Sequence, residues 1–354
     1  MATVSSSAIQ QLPKVDLHSH IDGSVPTREL FRIARLRGRK ILTPKGTELT
    51  TASSFAAHIK GTGYHTLLDD IIDRFYPITN LMQTQEVLRD VGVAYAKEMR
   101  AQNVMYAEGR IAPQYHTGEG LSVDEVVQSM QEGLAEGCER FGVRVNLIVA
   151  IGRESDPKTG EGIARAALRN KAVVALDLGG PEIGNPPEKF EKAFAIATAA
   201  GLKKTIHAGE GAGSVEQNLK NIRTAIVALG ANRVGHARDI AKDPRLVESA
   251  IAKGVTIEMN PQSNKALQYI KSPTELAIGE LLSKGVLVTV NSDDPALWPH
   301  GGMGEVLYSV CRSCHLGLDA VDRLVSNGIE GAFTGEAEKK SLREQYREAR
   351  RKLA

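Results

Sequence analysis

Two histidines near the start of the chain have a spacing that suits a metal site. His18 and His20 lie one residue apart in the stretch KVDLHSHIDGS. Because side chains alternate between the two faces of a β-strand, a strand at this position would project both imidazoles to the same side. Two imidazoles on one face can bind a single metal ion, but such a pair also occurs in ordinary protein cores. The pair is therefore a hypothesis that needs further ligands.

Residues that could complete such a site follow at the ends of two other apolar runs. His207 lies in TIHAGE and Asp293 lies in VNSDD. Three imidazoles and one carboxylate suit Zn²⁺, and Fe²⁺, Mn²⁺ and Co²⁺ accept the same kinds of ligand. A metal ion held in this way lowers the pKa of a bound water toward neutrality. We therefore predict one metal ion per chain, with zinc as the first choice. The predicted ligands are His18, His20, His207 and Asp293.

Three more polar residues adjoin the predicted ligands. Glu210 follows His207 by three residues, and a buried carboxyl group near a metal ion can donate a proton; the alternative is an acid in the first turn of a helix. His236, in RVGHA, is not needed as a fifth ligand and would position the attacking water, with a structural histidine as the alternative. Asp293 and Asp294 are adjacent, so we expect one to bind the metal ion and the other to meet the substrate.

The chain alternates short β-type runs with helical patterns, which is typical of parallel βαβ units. Eight repeats without a break in composition favour an α/β fold, a (β/α)8 TIM barrel, over a doubly wound sheet. The active sites of such barrels lie at the carboxyl ends of the strands, which is where the residues above fall. The eight runs cover residues 14–21, 104–111, 144–151, 173–180, 203–210, 232–239, 255–262 and 286–294.

The spacing of these runs predicts the organisation of the chain. No Pro-rich or Ser-rich linker interrupts it, so we predict one metal-dependent hydrolase domain over residues 1–354. Residues 1–11 are polar and are expected to form a flexible tail. The first connection is long enough for several helices, so extra helices inserted after the first strand, over residues 23–103, are expected to form a lid.

The composition of the chain limits the kinds of molecule that the protein is expected to bind. The 44 Lys and Arg residues nearly balance 42 Asp and Glu residues, which gives a net charge of +2 and no electrostatic footprint for nucleic acid or an anionic membrane. A small-molecule substrate is therefore expected, for a monomer or a homodimer. The three cysteines are too few for a disulfide framework and favour a cytoplasmic location. The stretch CRSCH matches a haem-attachment pattern, but its flanks predict helices with core-facing residues.

Several motifs together resemble the adenosine deaminase family. They are KVDLHSHIDGS, LDLGGPE, TIHAGE, RVGHA, MNPQSN and NSDDP, and they occur in the family's order from about Leu12 to Trp298. The resemblance implies zinc-dependent hydrolytic deamination of adenosine to inosine and ammonia, by attack of metal-bound hydroxide at purine C6. 2′-Deoxyadenosine and 5′-modified adenosines are related substrates that it also allows.

The resemblance also implies residue roles, with the ligands His18, His20, His207 and Asp293 as above. Glu210 would give a proton to purine N1, His236 would orient the hydroxide, and Asp293 would relay its proton. Asp294 would bind N7, and the backbone N–H of Gly180 would bind N3. Asp22 corresponds to the position that contacts the ribose 5′-hydroxyl.

Some features leave the substrate open. The family's adenine deaminases carry Glu where this chain has Asp22, which favours a nucleoside over the free base. Gly180-Pro181-Glu182 replaces the usual Gly-Asp-Glu and is expected to reshape the loop beside N3. The alternatives are an adenine, aminopurine or aminofutalosine deaminase of the same family and, more remotely, a nucleoside-binding barrel without catalysis. A binuclear centre would need a bridging lysine after the fourth strand, where Asp177 and Gly180 lie instead.

Overall fold

Eight parallel β-strands form the centre of the protein, in the order in which they occur along the chain. The structure is a computed structural model that describes residues 4–60, 68–211 and 213–353. Each strand pairs in parallel with the next. The strands are β1 (Lys14–His20), β2 (Val104–Ile111), β3 (Arg144–Gly152), β4 (Val173–Gly179), β5 (Lys203–Ala208), β6 (Arg233–His236), β7 (Thr256–Met259) and β8 (Leu287–Val290).

Backbone hydrogen bonds beyond the end of β8 join the last strand to the first. The N–H of Asp293 donates to the carbonyl of His18 at 2.9 Å, and the N–H of His20 donates to the carbonyl of Asp293 at 2.9 Å. The sheet is thereby nearly closed into a barrel, and the predicted (β/α)8 TIM barrel is confirmed. Because closure brings Asp293 beside both histidines, it also assembles the candidate site.

Helices surround the strands, and many begin at residues that cap the free N–H groups of the first turn. The Ser122 side chain accepts a hydrogen bond from the N–H of Glu125, and the Glu125 carboxylate accepts one from the N–H of Ser122. The helices are α1 (Ser6–Gln11), α2 (Ile21–Ser24), α3 (Thr27–Leu36), α4 (Ala52–Lys60), α5 (Leu68–Leu81), α6 (Gln85–Ala101), α7 (Val123–Phe141), α8 (Pro157–Arg169), α9 (Glu191–Ala199), α10 (Val215–Arg223), α11 (Pro244–Ala252), α12 (Pro261–Ala266), α13 (Ile278–Ser283), α14 (Met303–Ser313), α15 (Leu318–Gly331) and α16 (Glu336–Arg351).

The start of the chain differs from the expectation of a flexible tail over residues 1–11. Residues 6–11 form α1, in which Ser5 accepts the N-cap hydrogen bond from Ala8. Ile9 is fully buried against the core, and Leu12 after the helix is buried as well. The sequence-based expectation was wrong for this segment because two apolar side chains are enough to dock a short helix. Residues 1–3 lie outside the described part of the chain.

The long connection after β1 contains extra helices, as predicted. Helices α2 to α6 lie between β1 and β2, and α6 packs along α7 on the outside of the barrel. Phe55 of α4 is fully buried. Residues 61–67 of the predicted lid, 23–103, are outside the described residues. No helix in the described ranges combines the length and the apolar character needed to cross a bilayer.

Candidate active site

The four predicted metal ligands meet at the carboxyl end of the barrel. His18 and His20 lie at the end of β1, His207 lies near the end of β5, and Asp293 follows β8. Oδ1 of Asp293 lies 3.4 Å from Nε2 of His18 and 3.4 Å from Nε2 of His20. The Nε2 atoms of His20 and His207 are 3.3 Å apart. Ligand atoms about 2.0–2.1 Å from a tetrahedral zinc ion are about 3.3 Å from one another, so these separations fit such an ion.

The chemistry of these atoms also fits a metal ion. Nε2 of His18 is buried and makes no hydrogen bond within the described residues. A buried polar atom without a partner costs free energy, and a cation in the centre of the cluster would satisfy it. Two groups of side chains have ligand atoms that all lie within 4.8 Å of one another. The first group is His18, His207, His236 and Asp293, and the second is His20, Asp293 and Asp294, so Asp293 belongs to both.

Carboxylates fix the orientation of two of these imidazoles by contacting Nδ1, the ring nitrogen that does not face the cluster. Nδ1 of His18 lies 2.7 Å from Oε2 of Glu258, and Nδ1 of His207 lies 3.1 Å from Oδ1 of Asp177. A ring that donates from Nδ1 to a carboxylate keeps the Nε2 lone pair free, which is the usual arrangement of histidines that bind metals. Sequence reasoning did not find the role of Glu258; the only local signal is a single acid in the buried strand TIEM.

Buried arginines lie against both of these carboxylates. Nη1 of Arg110 lies 2.8 Å from Oδ2 of Asp177, and Nη2 lies 3.4 Å from Oε2 of Glu258. Arg233 also pairs with Glu258. Burial by itself would raise the pKa of both carboxyl groups. His207 and Arg110 beside Asp177, and Arg233 and Arg110 beside Glu258, outweigh burial and hold both pKa values below the usual range. The histidines are therefore backed by permanent negative charge.

Glu210 lies in the same cavity and has the electrostatic environment of a proton donor. Burial raises the pKa of its carboxyl group well above the usual range, and the charges of Asp293 and Glu182 raise it further. Oε2 of Glu210 lies 3.8 Å from Nε2 of His236. A carboxyl group that stays protonated near neutral pH can donate its proton to a bound substrate.

Glu182 shapes the loop that carries Glu210, a role that the sequence did not reveal. The Glu182 carboxylate accepts hydrogen bonds from the backbone N–H groups of Gly209 at 3.0 Å and Glu210 at 2.6 Å. The side-chain amide of Asn221 donates a further bond at 2.6 Å. Glu182 therefore fixes the backbone of the HAGE turn, while its charge adds to the negative field at Glu210. The only signal in the sequence was that Gly180-Pro181-Glu182 differs from the family's usual Gly-Asp-Glu.

Left-handed backbone turns aim His236 and Asp293 into the cavity. Their φ angles are 61° and 63°, a region that costs a residue with a side chain about 1–3 kcal/mol. The amide nitrogens of Asn260 and Asn264 lie 3.2 Å and 3.1 Å from the two ring nitrogens of His236 and hold the ring in place. Nε2 of His236 is 4.0 Å from Oδ2 of Asp293, farther than the 3.3–3.4 Å that separates Asp293 from His18 and His20, and His20 from His207.

Asp294 faces the cavity beside the predicted ligands. Its Oδ1 is buried and makes no hydrogen bond within the described residues. Burial raises the pKa of this carboxyl group well above the usual range, with the Asp293 charge as the next cause. The side chain fits because residue 23 is a glycine: a Cβ at Gly23 would lie 1.8 Å from Oδ1 of Asp294. Asp294 is therefore half-buried and has a buried, free polar atom for a ligand.

We expect Gly23→Ala to lower kcat/KM by about 100-fold, because the added methyl group must displace Asp294 by more than 1 Å. The measurement is steady-state turnover together with metal content, which should stay near that of the unmodified protein. Gly162→Ala is the matched control, since a Cβ at Gly162 meets no atom within 4 Å. Equal activity of the two variants would contradict a contact between Asp294 and the substrate.

The cluster opens into a cavity of about 780 Å³, which is the size of a small-molecule site. Asp22 and Gly180 line it, and Gly180 has a φ of 100° that a residue with a side chain rarely adopts. Oδ2 of Asp22 lies 3.6 Å from Nε2 of the fully buried His116, which sequence reasoning missed. Among the described residues that line the cavity there is no lysine or arginine. The lining acids beyond the cluster are Asp22, Asp73, Glu119 and Glu154.

An eight-stranded parallel barrel with histidines and an aspartate gathered at the carboxyl ends of its strands is typical of metal-dependent barrel hydrolases. The family model for adenosine deaminase matches residues 13–349. The chain belongs to the adenosine deaminase family, and the resemblance inferred from the motifs is confirmed. It is accordingly a deaminase of the hydrolase class, which acts on C–N bonds of cyclic amidines.

Relatives carry two different substrate names. The chain is 31% identical to an adenine deaminase of Wolinella succinogenes over 94% of this chain and 96% of that protein. It is also 31% identical to an adenosine deaminase of Enterococcus faecalis over 98% of this chain and 99% of that protein. Among solved structures, the adenine deaminase of Arthrobacter aurescens superposes with a TM-score of 0.84 at 27% identity and covers 95% of this chain and 98% of its own.

Proposed function

We propose that the protein deaminates adenosine hydrolytically to inosine and ammonia at a single metal ion held by His18, His20, His207 and Asp293. The observation that carries the proposal is the cavity, which three of the candidate ligands, His20, His207 and Asp293, line together with Glu210 and Asp22. Its volume of about 780 Å³ leaves room for a sugar beside the purine. Adenosine, and with it 2′-deoxyadenosine or a 5′-modified adenosine, fits this space.

Zinc is the proposed metal ion because its preferred ligands match the four donor atoms, and because zinc can take water as a further ligand. Fe²⁺, Mn²⁺ and Co²⁺ accept the same donors and are possible substitutes. When bound, the metal ion acidifies water and so supplies a nucleophile near neutral pH. The carboxylates of Glu258 and Asp177 support the metal ion by orienting His18 and His207 and by balancing its positive charge.

The remaining residues are assigned by their position and protonation. Glu210 holds a proton and gives it to N1 of the purine, which makes C6 electrophilic. His236 lies between Glu210 and Asp293 and orients the attacking water. Asp293 takes a proton from that water and passes it on as ammonia leaves. The second proton of the water returns to Glu210 as the C6 carbonyl forms. The products are the 6-oxopurine nucleoside and ammonia, so the atoms of water and substrate are accounted for.

The purine is held by groups that face its other nitrogens. Asp294, with its unpartnered Oδ1, binds N7, and the backbone N–H of Gly180 binds N3. Asp22 contacts the ribose 5′-hydroxyl at the far side of the cluster. The shorter side chain of Asp22, compared with the glutamate of adenine deaminases, leaves space for that sugar. The second candidate is adenine deamination, for which several relatives are named.

A substrate panel tests this function directly. We expect ammonia release from adenosine with kcat/KM at least about tenfold above that for adenine, because only the nucleoside uses the contact to Asp22. We expect AMP to be at least about 100-fold poorer than adenosine, because a phosphate would meet carboxylates and no lysine or arginine in the lining, and like charges cost several kcal/mol.

Other outcomes of the panel would contradict the assignment of adenosine as the substrate. A preference for adenine would show that the substrate is the free base and not adenosine. Preference for AMP would contradict the electrostatic argument, and activity confined to substrates without a 6-aminopurine would overturn the proposal. 2′-Deoxyadenosine and 5′-methylthioadenosine belong in the panel because they vary the sugar while leaving C6 unchanged.

A further inference from the structure

Tyr115 and Glu154 form a hydrogen-bonded pair on the wall of the cavity. Tyr115 lies in the short 3-10 helix Pro113–His116 after β2, and Glu154 follows the end of β3. Both residues line the cavity, and the Tyr115 hydroxyl donates a hydrogen bond to Oε1 of Glu154. Both side chains are partly open to solvent. Partial burial of the Tyr115 hydroxyl raises its pKa, as do the charges of Glu154 and Asp22, so the hydroxyl remains a donor. The pair therefore presents an oriented carboxylate.

Two glycines make room for this pair. A Cβ at Gly152 would lie 2.2 Å from the Tyr115 hydroxyl and 2.6 Å from Nε2 of Gln114, so any larger residue would push the tyrosine away. A Cβ at Gly180 would lie 3.2 Å from Oε2 of Glu154. The free side of the carboxylate thus lies directly beside Gly180, the residue assigned to purine N3.

This position defines the chemistry of the group that Glu154 can recognise. Within the described residues, Oε2 of Glu154 accepts no hydrogen bond, and a carboxylate is an acceptor only. Its partner on the substrate must therefore be a donor near N3. One ring carbon separates N3 from N9, and in an adenine nucleoside the ribose 2′-hydroxyl flanks N9 on this side. In the free base the only donor on this edge is a ring N–H.

We propose that Glu154, oriented by Tyr115, accepts a hydrogen bond from the ribose 2′-hydroxyl and makes the site selective for ribonucleosides. This inference rests on the proposed function, since it takes the purine to be placed by Gly180 and the metal cluster. A hydrogen bond to a charged acceptor changes affinity by about 10- to 100-fold. The carboxylate therefore separates adenosine from 2′-deoxyadenosine without touching the reacting C6.

The test compares these two substrates in variants of the pair. Glu154→Ala is expected to lower kcat/KM for adenosine by about 10- to 100-fold and to leave that for 2′-deoxyadenosine within about twofold. Glu154→Gln, which keeps an uncharged acceptor, should fall between the two, and Tyr115→Phe should lower the preference for adenosine in the same direction. Glu191→Ala, an exposed acid of α9 away from the cavity lining, is the matched control.

Binding of the products separates this inference from the proposed function. The unmodified protein should bind inosine about 10- to 100-fold more tightly than 2′-deoxyinosine, and Glu154→Ala should abolish the difference. That result would support the sugar contact even if adenosine were not deaminated. Equal losses on both nucleosides would show a merely structural role, a loss confined to adenine would identify a ring N–H as the partner, and failure to bind inosine would also overturn the inference.

Discussion

Glu210→Gln is expected to lower kcat for adenosine by at least about 10³-fold, because glutamine cannot give a proton to N1 of the purine. The amide has nearly the shape of the acid, so the fold and the metal content should stay unchanged. Steady-state ammonia release and elemental analysis of the same sample measure the two quantities. Glu216→Gln, an exposed glutamate at the start of α10, is the matched control and should keep full activity.

The pH dependence sharpens this prediction. Because burial, Asp293 and Glu182 raise the pKa of Glu210, its active protonated form persists above the pH at which an ordinary glutamate ionises and is lost as the pH rises through that raised pKa. The alkaline fall in kcat should therefore be missing from the residual activity of Glu210→Gln. Substantial kcat in this variant would overturn the proton-donor role, while a fully inactive but nucleoside-binding unmodified protein would favour the non-catalytic alternative.

Removal of the metal ion is expected to have an equally large effect. Dialysis against a chelator should reduce kcat by at least about 10³-fold, because unbound water is a poor nucleophile at neutral pH. Added Zn²⁺ should restore activity with a break at one equivalent per chain, as four ligands around one ion require. Asp293→Ala should prevent this recovery, since Oδ1 of Asp293 lies 3.4 Å from Nε2 of both His18 and His20.

Two results would contradict the single-ion proposal. The first is a break at two equivalents of Zn²⁺, which would indicate a binuclear centre. The second is full activity in protein with less than a tenth of an equivalent of any divalent metal. Asp319→Ala, at the exterior start of α15, serves as the control for the aspartate substitution.

Much of the architecture could be predicted because its signals are local. The alternation of apolar runs and helical patterns located all eight strands, and the order of those strands around the barrel follows from parallel βαβ connections. The ends of the strands were less certain: β8 stops at Val290, and Asp293 lies beyond it, at an isolated bridge to Ser19 of β1. The docking of α1 was missed because burial of Ile9 depends on a distant surface that contacts it.

The sequence by itself determined the types of the candidate ligands and the side of the strand on which they lie. The separation of His18 and His20 by one residue is enough, because the two-residue period is a property of the extended backbone. The motif around His207 likewise indicated a family and, through it, a chemistry. These signals lie within a few neighbouring residues and can be recognised without knowledge of the fold.

Only the tertiary structure decided which distant side chains contact one another. Glu258 supports His18, Asp294 depends on the missing side chain of Gly23, and Glu154 faces Gly180. Each contact depends on the register of paired strands and on closure of the barrel between β8 and β1. Register shifts and loop conformations of a few ångströms decide such contacts, and no local period in the chain encodes them.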